Sequence, residues 1–120
     1  MQYSQDDFHK KLLGRKGEDL AVKFLKKQKY KIIERNFKCT YGEADIIAKQ
    51  DDCYVFVEVK ARASDTYGRP LDAVDFAKQN KYRKIAEYYF YIENIFDVSG
   101  RFDVIEVLPD GSINHIENAF

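Results

Sequence analysis

Hydrophobic residues recur at two spacings along the chain, and each spacing predicts one kind of secondary structure. Apolar positions three and four residues apart predict amphipathic helices over residues 10–28 and 72–92. Runs rich in β-branched and aromatic residues predict strands over residues 30–38, 43–49, 53–61, 101–108 and 113–117. The order αβββαββ predicts an α/β (mixed α+β) fold, with a central mixed sheet flanked by helices.

The third predicted strand carries charge where a central strand is usually apolar. Its odd-numbered positions from 55 to 59 are all valine, whereas its even-numbered positions end in Glu58 and Lys60. A strand that is apolar on both faces is expected in the middle of a sheet. Burying a carboxylate and an ammonium there is costly unless they are paired or bind a metal. The two residues therefore form either a structural ion pair at a strand end or part of a site.

The preceding strand adds two carboxylates, Glu43 and Asp45. A short polar turn joins the two strands, so we expect antiparallel pairing that brings Asp45 close to Glu58 and Lys60. Close carboxylates repel, and a shared proton or a bound cation resolves the repulsion. Oxygen ligands without His or Cys favour Mg²⁺ or Mn²⁺ over zinc. A hard ion beside a lysine is typical of phosphodiester hydrolysis.

The first helix offers a further candidate, Glu18, at the edge of its apolar stripe. Gly14 and Gly17 precede it, and each glycine costs a helix about 1 kcal/mol relative to alanine. The pair indicates a close approach of the helix to the sheet or to a ligand. Glu18 then either points toward the other carboxylates or is an ordinary surface acid that pairs with a lysine.

Charge is unevenly distributed, although 20 Lys and Arg residues balance 20 Asp and Glu residues. Residues 10–40 carry a local charge of +8 and residues 76–91 of +3, while residues 41–61 carry −3. Zero net charge excludes a uniformly basic nucleic-acid coat, but not a local patch. The basic segments are either solvated helix faces or a phosphate-binding rim around the carboxylates.

Composition bounds the class of protein. A length of 120 residues fits a single domain spanning 1–120. Two cysteines without a C-x-x-C motif and two distant histidines argue against a zinc knuckle or a disulfide scaffold. The polar N-terminus and the absence of an apolar run of about 18 residues predict a cytoplasmic protein without a membrane partner.

Several of these segments together resemble a known family. Gly17 with Glu18, the run 42–47 and the run 56–62, in this order, resemble the YraN-like family of uncharacterised bacterial proteins. The resemblance extends to residues 101–105 and 118–120. This family is grouped with archaeal Holliday junction resolvases in the PD-(D/E)xK nuclease superfamily. The resemblance implies a restriction-endonuclease-like core and a Mg²⁺- or Mn²⁺-dependent endonuclease.

The resemblance also assigns roles to residues. It implies that Asp45 and Glu58 bind the metal with the main-chain carbonyl of Val59, that Lys60 is the motif lysine, and that Glu18 is the helix carboxylate. Ala44 stands where the superfamily usually has proline, which removes no ligand. Cleavage of two symmetric strands would favour a homodimer.

Nucleic acid is the expected partner, with DNA favoured over RNA. The candidate contacts lie in the basic segments, in the turn-rich loop over residues 62–70, and at two helix positions that match the family weakly. They are Arg15, Lys16, Arg62, Arg69, Lys78, Gln79 and Lys81. The alternatives are a non-catalytic nucleic-acid-binding module that keeps the fold and an assembly subunit that uses the aromatic run 88–91. A small-molecule phosphatase is disfavoured because no glycine-rich phosphate loop is present.

Overall fold

Five strands form one mixed sheet in the computed structural model, which describes residues 5–62 and 75–120, with side chains from residue 13 onward. The elements are α1 (Gln5–Lys27), β1 (Lys31–Cys39), β2 (Gly42–Gln50), β3 (Cys53–Ala61), α2 (Phe76–Ile92), β4 (Ser99–Val107) and β5 (Ile113–Ile116). The predicted αβββαββ order and mixed sheet are confirmed. Helix α1 begins five residues before its predicted start at residue 10.

The strands lie side by side in sequence order. β1, β2 and β3 form an antiparallel meander, and β4 and β5 form a second antiparallel pair. β3 and β4 run parallel, because the chain between them crosses one face of the sheet and includes α2. β3 is therefore central and is paired on both sides.

Each face of the sheet carries its own hydrophobic core. Val55 and Val57 of β3 pack with Ala21 and Leu25 of α1. The alternate residue Phe56 faces the other way and packs with α2 residues, among them Tyr82, Ile85 and Tyr89. The alternation of β3 thus places its even-numbered residues on the α2 side. Neither described helix combines the length and the apolar character needed to cross a membrane.

One of the two glycines in α1 marks a close contact with the sheet. A Cβ atom on Gly17 would lie 2.9 Å from the Cβ of Ala61 at the end of β3. Gly17 thus lets α1 approach this strand end, as expected. Among the described residues, Gly14 has no neighbour within 4 Å of such an atom, so Gly14 makes no close approach to the sheet, and its approach to a ligand stays a prediction.

Candidate active site

The site lies where β2 and β3 separate. Ile46 and Val57 form the last ladder pair on this side, and the same register would place Asp45 opposite Glu58. Here the side chain of Asp45 replaces the ladder bond, since its Oδ2 accepts the Val59 N–H at 2.8 Å. The N–H and C=O of a strand residue point toward the same neighbouring strand, so we expect the Val59 carbonyl to face this gap as well.

A change of face in the β1–β2 pair places Asp45 in the gap. Arg35 and Ile46 form one pair of partners, and Phe37 and Ala44 form another. Arg35 binds Asp19 of α1 at 2.7 Å, whereas Phe37 packs on the α2 side. Between them Asn36 has a left-handed backbone (φ 52°), which asparagine tolerates better than most residues. The regular alternation is broken at Asn36, and the same register places Asn36 opposite Asp45.

Asp45 and Glu58 share a poorly neutralised site. Burial, followed by the negative charge of Glu58, raises the pKa of Asp45 to about 7, and the Val59 N–H offsets only part of this effect. Asp45 therefore loses its proton near neutral pH. A shared proton or a cation between two carboxylates is the expected resolution.

Helix α2 supplies the partners of Glu58. The Nζ of Lys78 binds Oε1 of Glu58, and the Tyr82 hydroxyl donates to Oε2. The two residues lie four positions apart, so they share one face of the helix. The N-cap of α2 fixes where the helix begins, because Asp75 Oδ1 accepts the Lys78 N–H at 2.9 Å. The start of the helix in turn sets the positions of Lys78 and Tyr82 relative to Glu58. Burial and the charge of Glu58 raise the pKa of the Tyr82 hydroxyl, which stays protonated and donates.

Glu18 joins the site indirectly. With its amide nitrogen facing the carboxylates, Asn36 donates to Glu18 Oε1 at 3.0 Å and to Glu43 Oε1 at 2.9 Å. Burial raises the pKa of Glu18, while Arg35 acts in the opposite direction. Glu18 also contributes to the raised pKa of Asp45. Asn36 thus links the α1 carboxylate to β1 and β2 at the edge of the site.

The donor set suits a hard divalent cation. The Asp45 and Glu58 carboxylates and the expected Val59 carbonyl are all oxygen donors, and Mg²⁺ often uses one or two carboxylates while keeping several waters. Within residues 13–62 and 75–120, no three Asp, Glu, His or Cys side chains form a ready cage for a metal. These residues therefore suit an ion that keeps part of its water shell. In this structure Lys78 supplies the counter-charge of Glu58.

The other predicted residues have different surroundings. Lys60 is exposed on the same side of β3 as Glu58. Arg15 and Lys16 are exposed on α1, and Lys81 is exposed on α2, while Gln79 is half-buried. Among the described residues, no contact joins Lys60, Arg15, Lys16 or Lys81 to Asp45.

Arg62 and Arg69 differ from this group. Arg62 is buried, and its Nε binds Glu106 Oε2 at 2.6 Å. This ion pair gives Arg62 a place inside the fold, and its contact with nucleic acid stays a prediction. Arg69, together with residues 63–70 of the predicted loop, lies outside the described residues.

Comparison with known proteins agrees with the resemblance. A family model described as "Uncharacterised protein family UPF0102" matches residues 17–107. The chain belongs to this family. A UPF0102 protein of Caldanaerobacter subterraneus is 48% identical over 118 residues, covering 93% of this chain and 97% of the relative. A UPF0102 protein of Geobacter metallireducens is 47% identical over 115 residues, covering 93% and 94%. The expected YraN-like membership is confirmed.

Within the matched UPF0102 region, sequence reasoning missed two site residues. Tyr82 lies four residues after Lys78, the helical spacing that would have placed both above Glu58. Asn36 carried a weaker signal, because asparagine is enriched among residues with a left-handed backbone. Both lie between residues 17 and 107, the span of the family match.

Proposed function

We propose that the protein is a metal-dependent nuclease that hydrolyses phosphodiester bonds, with the structure selectivity of a Holliday-junction-resolvase-like DNA endonuclease. The observation that carries the proposal is the contact of Asp45 and Glu58 at the open end of the β2–β3 ladder. Lys60 follows two residues later on the same side of β3. The resemblance to PD-(D/E)xK nucleases supports the same assignment.

In this proposal each residue of the site has a separate role. Asp45 and Glu58, with the Val59 carbonyl, would hold Mg²⁺ or Mn²⁺, which supplies a water of lowered pKa and neutralises charge on the phosphate. The Val59 N–H fixes the Asp45 carboxylate, and the Tyr82 hydroxyl fixes that of Glu58. Lys60 would orient the attacking water or contact the negative phosphate oxygens. Glu18, held by Asn36, would accept hydrogen bonds from the surrounding water.

Nucleic-acid binding would come from the basic segments on the two helices. Arg15 and Lys16 on α1 and Lys81 on α2 are exposed, which suits contacts with phosphates. Such contacts make the affinity fall steeply with salt. A cytoplasmic location and a two-fold homodimer belong to the same proposal, since symmetric cutting of two strands needs two sites.

The test is cleavage of labelled four-way junction, flap, single-stranded and linear duplex DNA with Mg²⁺, with Mn²⁺ and with EDTA. Asp45→Asn and Lys60→Met should each lower the cleavage rate by at least about 100-fold, because metal binding and charge stabilisation are lost. Asp52→Asn is the matched control, since Asp52 is an exposed acid at the opposite end of the β2–β3 hairpin. This control should cut like the wild type.

The same experiment separates the proposal from its alternative. Each variant is first shown to be folded by its thermal transition. A wild type that binds these DNAs and never cuts them, with Asp45→Asn binding equally well, would overturn the nuclease proposal. The binding module that keeps the nuclease fold would then take its place.

A further inference from the structure

A winding stripe of side chains on α2 connects the candidate active site to a surface pocket. Positions 78, 81, 84, 88 and 91 are separated by three or four residues, and the stripe they form turns around the helix, with Tyr88 about 80° from Lys78 at about 100° per residue. The stripe begins with three lysines, of which Lys78 contacts Glu58, and ends with two tyrosines. At about 1.5 Å per residue it spans about 20 Å. A single strand laid along it would run from the site to the pocket.

The pocket at the far end is aromatic and open. It has a volume of about 500 Å³ and is lined by Tyr41, Lys84, Glu87, Tyr88 and Tyr91. Tyr41, Tyr88 and Tyr91 are 44%, 36% and 78% exposed. Three partly exposed tyrosines gathered in one pocket form a contiguous apolar surface, which is typical of a binding site.

The rings of Tyr41 and Tyr88 pack against each other, and that of Tyr88 also packs against the core. The centroids of Tyr41 and Tyr88 lie 6.2 Å apart with their planes at 69°. Tyr88 also lies 6.5 Å from the core residue Phe37. The Nζ of Lys84 lies 5.9 Å from the Tyr41 ring. This arrangement combines fixed π surfaces with a positive charge on the same wall.

The charges along the stripe distinguish between a peptide and a nucleic acid as the ligand of the pocket. An apolar peptide would cover the tyrosines but would bring no counter-charge to Lys81 and Lys84. A nucleic-acid strand satisfies both parts, because its bases stack on aromatic rings and its phosphates contact lysines. Glu87 lines the pocket and repels phosphate, so the backbone of such a strand would follow Lys81 and Lys84 instead.

We propose that Tyr41, Tyr88 and Tyr91 form a stacking subsite for unpaired nucleobases of a strand that continues from the Asp45–Glu58 site along α2. This inference rests on the proposed function and narrows its substrate to nucleic acid with a single-stranded segment beside the cleaved bond. A fully paired blunt duplex cannot place its bases in the pocket without unpairing them.

The test measures binding without cleavage, by fluorescence anisotropy of labelled oligonucleotides in EDTA. The ligands are a single strand, a duplex with a single-stranded overhang, a blunt duplex, and a strand of the same length with abasic sites, each made as DNA and as RNA. The single strand and the overhang should bind about 10-fold more tightly than the abasic strand and the blunt duplex. Tyr88→Ala and Tyr41→Ala should remove most of this difference, and Tyr88→Phe should keep it.

Phe96→Ala is the matched control, since Phe96 is 69% exposed and does not line the pocket. A 2-aminopurine base in the strand gives a direct readout, because stacking on tyrosine should quench its fluorescence in the wild type and not in Tyr88→Ala. Equal binding of the abasic strand, or unchanged binding by both alanine variants, would overturn the subsite.

The subsite and the nuclease can fail separately. Metal-dependent cutting that needs Asp45 but is indifferent to Tyr88 and Tyr41, with equal binding of the abasic strand, would overturn the subsite and leave the nuclease. Base-dependent binding with no cutting under any metal would support the subsite and remove the nuclease.

Discussion

Two aspartates on the same sheet, Asp103 buried and Asp45 half-buried, have opposite surroundings. Asp103 on β4 is fully buried, and both of its oxygens are satisfied. Its Oδ1 accepts the Arg101 Nε and the Asn118 N–H, each at 2.9 Å. Its Oδ2 lies 2.9 Å from Arg101 Nη2 and 2.7 Å from His115 Nε2. Asp45 on β2 has one backbone donor and faces a second carboxylate instead of a cation.

The pKa values of the two acids diverge for this reason. Burial opposes the ionised form of both. At Asp103 the hydrogen bonds from His115, Arg101 and Asn118 outweigh burial and keep the pKa below its usual value. At Asp45 the charge of Glu58 adds to burial, and the pKa rises to about 7. A buried carboxylate that is fully paired stabilises a fold, whereas one that is left short of positive charge marks a site for a ligand.

The largest effect is expected at the paired aspartate. Asp103→Asn keeps the shape of the side chain but leaves the Arg101 guanidinium without its counter-charge. Removing one partner of a buried pair costs on the order of 3 kcal/mol of unfolding free energy. Urea unfolding in EDTA at pH 7 measures this loss. A cost below about 1 kcal/mol would mean that this network contributes no more than an ordinary hydrogen bond.

The same substitution at the other aspartate should have the opposite sign. An amide at position 45 can accept the Val59 N–H and donate to Glu58 without adding charge. Asp45→Asn should therefore raise the unfolding free energy of the metal-free protein at pH 8 by on the order of 2 kcal/mol. Urea unfolding in EDTA measures the gain, and a loss of stability at pH 8 would contradict it.

The pH dependence follows from the pKa of Asp45. Its value is about 7 in the folded chain against 3.8 for an ordinary aspartate, so the folded state holds the extra proton between these pH values. Wild-type stability should fall as the pH rises from about 4 to 7 and then level off. The advantage of Asp45→Asn should thus shrink toward zero at pH 5. Asp103, with a pKa lowered from 3.8, has the opposite sign and adds a slope only at the acid end, near pH 4, where the carboxyl of the unfolded chain takes up a proton first.

The fold was predictable because its signals are local. Valines alternating with aromatics in β3 indicated a central strand, and the short polar turn after Gln50 indicated its antiparallel partner. The strand register set by that turn predicted that Asp45 lies close to Glu58. The helix start was less predictable, since residues 5–9 have no apolar periodicity to mark where α1 begins.

The remaining contacts join residues that are far apart in the sequence, and no local pattern predicts them. The sequence left Glu18 open as a neighbour of the carboxylates or a surface acid, and its link to Glu43 runs through the left-handed Asn36. His115 had no partner near it in sequence, and its partner Asp103 lies 12 residues away on the adjacent strand. Such pairs depend on strand register and side-chain direction, which one residue of slip would change.

The smallest expected effect tests the counter-charge of Glu58. The Lys78 side chain is 42% exposed, against 17% for Arg101, so its ammonium can leave Glu58 more easily than Arg101 can leave Asp103. Lys78 and a divalent cation would compete for the same carboxylate. Lys78→Met should therefore tighten Mn²⁺ binding by about 3-fold, a modest change because water screens an exposed ammonium. Electron paramagnetic resonance of free Mn²⁺ measures the affinity without any cleavage.

A neighbouring lysine separates this competition from the general charge of the helix. Lys81 is exposed one turn further along α2, whereas the Lys78 ammonium binds Glu58 directly. Lys81→Met removes the same charge at a greater distance and should change Mn²⁺ affinity less. Equal effects of the two variants would assign the change to net charge, and weaker Mn²⁺ binding by Lys78→Met would mean that Lys78 positions Glu58 for the metal. If Mn²⁺ binding tightens in Lys78→Met alone, then Lys78 is a counter-charge that a metal ion can displace, unlike Arg101 beside Asp103.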